Sequence, residues 1–171
     1  MRHLPERAHR LDPESVLAML SDYVNGADTS VRYRMVVNYP NKVPPPGPQI
    51  DRPTSEQRVY GVHVYDALAR HLEAEVKESI SLIPFHILLE HKQLMLTRLR
   101  YMEAGGHIDP SLELSQRYRT VVNAASAIKL SLLRRIARSR TGTASTSTAL
   151  GSLRDLECEI LSEVIDSMSH G

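Results

Sequence analysis

Histidines and carboxylates are the side chains whose spacing could support metal binding or acid–base chemistry in this chain. His71 with Glu75, and His86 with Glu90, lie four residues apart, so the members of each pair would share one face of a helix. Such pairs are more often surface ion pairs than metal ligands, and no HExxH-type pattern occurs among the 8 histidines. The sequence therefore predicts no metal site and no catalytic acid–base pair.

The cysteine and the serines also lack the neighbours that nucleophilic catalysis requires. Cys158, the single cysteine, lies among acidic residues that should raise its pKa and make it a poor nucleophile. No serine stands in a GxSxG turn, and Gly105-Gly106 opens no phosphate-binding loop. We therefore expect a protein that is not an enzyme and that needs no cofactor and no small-molecule substrate.

The charge balance argues against a general attraction to nucleic acid. The chain has 21 basic and 20 acidic residues, which gives a net charge of +1. One predicted helix does carry basic residues that could track phosphates, but aromatic residues that would stack on bases do not alternate with them. These residues are Arg117, Arg119, Lys129, Arg134, Arg135 and Arg138. An arginine-rich helix that binds nucleic acid is therefore only a third interpretation.

A proline-rich segment over residues 40–54 points instead to protein binding. Its centre reads Val43-Pro44-Pro45-Pro46-Gly47-Pro48, where the prolines lack the amide donors of a helix or a central strand. We expect an exposed polyproline II strap that lies against a partner protein. With Lys42 in front, the segment also matches the basic-x-x-Pro-x-x-Pro pattern, so a helical adaptor for an SH3- or WW-type partner is the alternative.

Two elements precede this strap within residues 1–39. Asp12 and Pro13 are typical of a helix start and Gly26 of a helix exit, which predicts an amphipathic first helix. From Ser30 to Tyr39 apolar and polar residues alternate, which is the period of an extended strand or arm. The apolar stripe of the first helix consists of Val16, Leu17, Leu20, Tyr23 and Val24.

A helical body is predicted over residues 55–139. Thr54 resembles a helix cap, so we prefer a helix over a strand for residues 58–64. Pro84 should interrupt the following helical run, because its ring clashes with the preceding turn. Gly105-Gly106 should end the next helix.

Apolar spacing predicts the buried sides of the two helices that flank this glycine pair. Asp109-Pro110 should begin the helix that follows the glycine pair, which is the longest helix predicted in the chain. The first should bury Phe85, Leu88, Leu89, Met95, Leu96, Leu99 and Met102, and the second Leu114, Tyr118, Val121, Ala125, Ile128 and Leu132. The fold class is therefore mainly α: an N-terminal helix, an extended proline-rich arm, and a hairpin or bundle of three to four helices.

The C-terminal part divides into a linker and an acidic helix. Residues 140–151, within a stretch rich in Thr, Ser, Ala and Gly, are typical of a flexible linker. Residues 152–169 predict an acidic amphipathic helix that could dock on a basic groove of a partner or of its own chain. The basic candidates on its own chain are Arg134, Arg135, Arg138 and Arg140.

The sequence also bears on the compartment. A lone cysteine excludes an internal disulfide and suits a reducing compartment or the mitochondrial matrix. No apolar run approaches the roughly 20 residues that span a bilayer, and the first residues do not predict a secretory signal. We expect no transmembrane segment.

Residues 17–60 resemble a known family. The run contains Leu20-Ser21-Asp22-Tyr23-Val24-Asn25-Gly26-Ala27-Asp28, then Val31-Arg32-Tyr33, then Pro44-Pro45-Pro46 and Gly47-Pro48. It is similar to the front half of alpha-subcomplex subunit seven of mitochondrial NADH:ubiquinone oxidoreductase, respiratory complex I. In that family a short helix is followed by an aliphatic-Arg-Tyr element and a triple proline.

The resemblance implies a non-catalytic accessory subunit of a large multiprotein assembly. It places the chain in the mitochondrion, on the matrix side of the inner membrane and peripheral to a membrane complex; the alternative location is the cytoplasm. Its partners would be other protein subunits, and no cofactor is implied. The partner-binding residues would be Tyr23, Arg32, Tyr33, Pro44, Pro45, Pro46 and Pro48.

Overall fold

A computed structural model describes residues 12–28, 58–74, 81–138 and 144–169. Every regular element in these ranges is helical, which confirms the mainly α fold class. The α-helices are α1 (Pro13–Val24), α2 (Val64–Ala74), α3 (Ile83–Ala104), α4 (Leu114–Ala137) and α5 (Ala144–Ser169). Single 3₁₀ turns at Gly61–His63 and Pro110–Leu112 precede α2 and α4. The alternating segment 30–39 and the proline-rich segment 40–54 lie outside the described residues.

The start and end of α1 follow from its capping residues. Pro13 occupies the first turn, where its missing amide donor costs no hydrogen bond, and Asp12 precedes it in an extended conformation. After the helix Gly26 has a φ of 66°, the left-handed conformation that glycine adopts most readily. The predicted helix boundaries are therefore confirmed.

The region before α2 is neither a strand nor one continuous helix. Residues 58–60 have no regular structure, the 3₁₀ turn follows, and α2 begins only at Val64. Gly61 has a φ of 54°, and a Cβ atom there would lie 2.0 Å from the Tyr23 carbonyl oxygen. The close approach of this turn to the end of α1 requires glycine at position 61. The α-helix therefore begins after the turn, at Val64.

Three long helices form the body of the molecule. α3 packs along α4, α4 packs along α5, and α1 and α2 pack on α5. All six positions predicted to be inward on α4 are buried, as are those predicted on α3 except Leu89, which is partly buried. Asp109 accepts a hydrogen bond from the Ser111 amide, but a 3₁₀ turn intervenes before α4 starts at Leu114. The packed face of each helix thus follows its apolar spacing.

The prediction of a flexible linker over residues 140–151 is wrong for 144–151. α5 begins at Ala144 and, with 26 residues, is longer than α4 with 24. Thr146 and Leu150 in this first part are buried, and Arg135 Nη1 donates to Thr146 Oγ1 at 3.1 Å. Small Ala, Ser and Thr side chains allow α5 to approach α4, so tertiary packing stabilises a helix that composition alone does not indicate.

The acidic helix docks on its own chain, a point that the sequence left open. Its acidic residues pair with Arg117, near the start of α4, whereas Arg135, near the end of α4, contacts Thr146 of α5. Arg117 contacts Glu163 through both terminal nitrogens, with Nη2 to Oε1 at 2.7 Å, and Glu159 at 3.3 Å. Because α4 and α5 run antiparallel, the start of α4 lies beside the C-terminal half of α5.

No described helix is long and apolar enough to cross a bilayer.

Candidate functional site: a buried polar network beneath an apolar groove

The centre of the bundle holds an ion pair. Lys92 lies in the middle of α3 and Glu157 in the middle of α5, and neither side chain is exposed to solvent. Lys92 Nζ donates to both carboxylate oxygens, at 2.9 Å to Oε1 and 2.8 Å to Oε2. Charges this deeply buried are tolerated only when they are paired and hydrogen-bonded.

Tyrosines from the other three helices complete the site. Tyr65 of α2 donates to Glu157 Oε2 at 2.6 Å, and Tyr23 of α1 donates to the same oxygen at 3.1 Å. Tyr118 of α4 donates to Oε1. Each of the five helices thus contributes one residue to a single cluster, the polar network: Tyr23, Tyr65, Lys92, Tyr118 and Glu157.

The hydrogen-bonding capacity of the ammonium group is fully used. An ammonium has three protons, and the three nearest acceptors of Lys92 Nζ are the two Glu157 oxygens and the Tyr23 hydroxyl oxygen at 2.6 Å. The Tyr23 hydroxyl therefore accepts from Lys92 while it donates to Glu157. Tyr23 is the link between α1 and both members of the ion pair.

The environment fixes the protonation states in the polar network. Burial raises the pKa of Glu157, but the charge of Lys92 and hydrogen bonds from Lys92, Tyr118 and Tyr65 outweigh it and hold that pKa below its ordinary value. Burial and the Glu157 charge raise the pKa of each network tyrosine far above neutrality. Burial lowers the pKa of Lys92, which Glu157 opposes. Because Lys92 Nζ donates to both oxygens of Glu157, we interpret the cluster as a carboxylate and an ammonium among neutral phenols.

The polar network approaches solvent through Tyr23 and His91. The His91 ring stacks on the Tyr23 ring, with centroids 5.5 Å apart and planes at 22°. His91 Nδ1 lies 3.5 Å from Lys92 Nζ. Burial, followed by the nearby charge of Lys92, lowers the pKa of His91, so the ring is neutral at pH 7. A neutral ring can lie beside the ammonium without repulsion.

An apolar groove between α1 and α3, the α1–α3 groove, lies over this Tyr23–His91 pair. It encloses about 600 Å³. Its walls include three methionines, and Arg98 is its one charged lining residue among those described. The lining residues are Val16, Met19, Leu20, Tyr23, His91, Met95, Thr97, Arg98, Tyr101 and Met102. α1 packs mainly on α5, and the groove lies between α1 and α3.

Of the residues expected to bind a partner, only Tyr23 can be placed. Its ring forms part of the groove wall and its hydroxyl group belongs to the polar network. The other six lie outside the described residues: Arg32, Tyr33, Pro44, Pro45, Pro46 and Pro48. The structure therefore leaves the expected contact role of the strap a prediction.

Sequence reasoning missed Lys92 and Glu157. In the sequence Glu157 is one of several acidic residues of α5, and no motif includes Lys92. A signal was present: Lys92 shares the inward face of α3 with Leu88 and Leu99, and Glu157 shares that of α5 with Leu153 and Ile160. An opposite charge on each of two apolar stripes indicates a buried pair, although the pairing depends on how the helices meet.

The remaining candidates for chemistry have structural roles. His86 Nε2 lies 3.2 Å from Glu90 Oε1 on the surface, so these two residues, four positions apart, contact each other on one face of α3. Cys158 is partly buried against the core, and burial followed by the Glu157 charge raises its pKa. Across the described ranges no group of three or more His, Cys, Asp or Glu side chains could hold a metal ion.

Comparison with known proteins gives no match. No family model fits the chain, and neither a curated protein nor a solved structure is significantly similar to it. The site is therefore interpreted from its own geometry.

Proposed function

We propose that this protein is a non-catalytic structural subunit of a multiprotein assembly, and that it holds an amphipathic helix of a neighbouring subunit in the α1–α3 groove. The observation that carries the proposal is the groove itself, an open and mainly apolar channel between two helices. Grooves of this kind bind the apolar face of a helix through residues spaced by three and four positions.

The lining residues specify the chemistry of the bound helix. Met19, Met95 and Met102 have flexible, polarisable side chains that adapt to apolar residues of different shapes. Arg98 on the exposed rim favours an acidic residue on the polar side of the bound helix, because its guanidinium group pairs well with a carboxylate. The expected partner segment is therefore apolar on one face and acidic beside it.

A binding role also suits the polar network beneath the groove. Lys92 and Glu157 direct their polar atoms at each other and at the tyrosines, so neither is available to a substrate. Buried polar groups satisfied in this way fix the position of one helix relative to another. The polar network would hold α1 in the orientation that forms the groove wall.

The assembly itself is proposed from the resemblance of residues 17–60. That resemblance supports an accessory subunit of mitochondrial respiratory complex I on the matrix side of the inner membrane. The groove proposal does not depend on it, since any protein assembly could supply the helix.

The test is affinity purification of the full chain from its source cell, with photo-cross-linking from position 97. Thr97 is exposed on the rim, so a photoreactive amino acid there should capture a helical segment of a co-purifying subunit. Val16→Glu or Met19→Glu should abolish this capture because each buries a charge in the groove. Leu112→Glu, at a 40% exposed position outside the groove, should retain it.

Circular dichroism must show that the variants keep their helix content. Cross-links that survive both groove substitutions would contradict the proposal, as would a wild-type protein that purifies alone. Capture of complex I subunits would support the particular assembly, whereas capture of other subunits would support the groove alone.

A further inference from the structure

α3 has a second apolar face that points away from the core. Ile83, Ile87, Leu94 and Tyr101 are 69%, 59%, 50% and 59% exposed, respectively. Their spacing of four, seven and seven residues places them within about 40° of one another around the helix axis. We call these four residues the α3 outer stripe.

This stripe is not a scatter of single exposed side chains. It is a ridge of ~27 Å, most of the length of α3, on the side of the helix opposite Leu88 and Leu99. A surface helix of a monomer normally has one apolar face, and isolated exposed apolar residues need no explanation. An apolar ridge aligned along a whole helix indicates an interface.

We propose that the α3 outer stripe joins two copies of this chain in a two-fold symmetric dimer, with the two α3 helices antiparallel and the axis at Leu94. The stripe is self-complementary about that residue. Ile87 lies seven positions before Leu94 and Tyr101 seven positions after it. An antiparallel pair therefore places Ile87 against the partner's Tyr101, and Leu94 against the partner's Leu94, as a two-fold interface requires.

Charges beside the stripe have the same symmetry. Glu90 lies four positions before Leu94 and Arg98 four positions after it, and both are exposed. In the antiparallel dimer Glu90 would face the partner's Arg98, and this pair would occur twice. In a parallel pair like charges would face each other instead, so the charge pattern selects the antiparallel arrangement.

Existing contacts of these residues are compatible with the dimer. Glu90 holds His86 at 3.2 Å through Oε1 on the surface, and a carboxylate can accept further hydrogen bonds. Lys129 Nζ reaches His86 Nδ1 at 2.8 Å and ties α4 to this side of α3. Leu133, one turn further along α4, is a further apolar residue that is 39% exposed.

The size of the surface sets the expected affinity. A ridge of ~27 Å by ~10 Å covers ~270 Å², which is about a third of the ~800 Å² that each partner buries in a standard interface. We therefore expect a reversible dimer with a dissociation constant on the order of micromolar. Tyr101 and Arg98 also line the α1–α3 groove, but Ile87 and Leu94 do not. Substitutions at Ile87 and Leu94 therefore test dimerisation separately from the proposed function.

The experiment is sedimentation equilibrium of the purified full chain from ~1 to ~100 µM. The wild type should show a monomer–dimer equilibrium, and Leu94→Glu or Ile87→Glu should raise the dissociation constant at least ~10-fold, because each adds charge to the apolar interface. Leu112→Glu, exposed to 40% outside the stripe, is the matched control and should dimerise as the wild type does. Circular dichroism should show the same helix content for all variants.

Charge reversal tests the orientation of the helices. Glu90→Arg and Arg98→Glu should each weaken the dimer, and the double variant should restore it, since opposite charges then face each other again. A parallel dimer would not show this rescue, and its absence would overturn the antiparallel arrangement. A wild type that stays monomeric at ~100 µM, or a Leu94→Glu variant that dimerises like the wild type, would overturn the proposal.

Discussion

Lys92 Nζ and Glu157 Oε2 lie 2.8 Å apart, near the middle of α3 and of α5, and neither residue has any exposed side-chain surface. The desolvation cost of such a pair is large, and its net contribution to stability can be small. The pair fixes the helices relative to one another, because Glu157 also accepts hydrogen bonds from tyrosines of α1, α2 and α4. A shift of any one helix would leave a buried polar atom without its partner.

Removal of one charge should therefore destabilise the fold strongly. Glu157→Gln or Lys92→Met leaves the opposite charge buried and uncompensated, and we expect a loss of ~3–5 kcal/mol in the free energy of unfolding. Urea denaturation followed by circular dichroism measures it. Glu159→Gln, two residues away and exposed, is the matched control and should change stability by less than ~0.5 kcal/mol.

The double substitution Lys92→Met with Glu157→Leu separates charge burial from packing. It removes both charges together but leaves three buried tyrosine hydroxyls without the carboxylate that accepts from them, so only part of the stability lost in the single variants should return. A double variant as unstable as the sum of the two singles would show that the pair does not act as a unit.

The three network tyrosines should not be replaceable by phenylalanine without cost. Tyr65→Phe and Tyr118→Phe each remove a hydrogen bond to a buried carboxylate, which corresponds to ~1.5–3 kcal/mol. Tyr23→Phe should cost at least as much, since it also removes an acceptor from Lys92. In the same denaturation assay Tyr101→Phe, at a 59% exposed position, should be neutral. Equal effects at Tyr101 and Tyr118 would contradict the polar network.

Stability should fall as the solution is acidified from pH 7 to pH 5. The pKa of His91 is lowered in the folded protein from 6.5, by burial and by Lys92, with Glu157 opposing. A group whose folded pKa is depressed stabilises the fold above its unfolded pKa, and that stability is lost as the pH falls, because the unfolded state binds the proton first. Urea titrations across this range should show the loss in the wild type and a flatter profile in His91→Asn. Identical profiles would remove His91 as the cause.

Two glycines should respond to alanine in opposite directions. Gly61→Ala places a Cβ atom 2.0 Å from the Tyr23 carbonyl oxygen at a φ of 54°, so we expect a loss of at least ~2 kcal/mol. Gly151→Ala meets nothing within 4 Å in the interior of α5 and should stabilise by ~0.5–1 kcal/mol. Thermal unfolding measures both. A tolerated Gly61→Ala would mean that the turn before α2 does not pack on α1 as described.

Much of this fold follows from local patterns. Asp12, Pro13 and Gly26 predict the bounds of α1, and the four–three spacing from Leu114 to Leu132 predicts the buried face of α4 residue by residue. These patterns are local because caps and apolar stripes act within a few turns of one helix. The linker prediction failed for the opposite reason: the start of α5 is held by contacts of Thr146 and Leu150 with distant residues.

The sequence by itself determined the mainly α class, most helix boundaries and the inward faces of α3 and α4. Only the tertiary structure decided that Lys92 and Glu157 are a pair, since a charged residue within an apolar stripe is costly alone and tolerable with a partner 65 positions away. It also decided that Tyr23 joins both this pair and the groove above it. The physical reason is that a helix fixes its own periodicity, whereas the partner of a buried charge is fixed by which helices pack together.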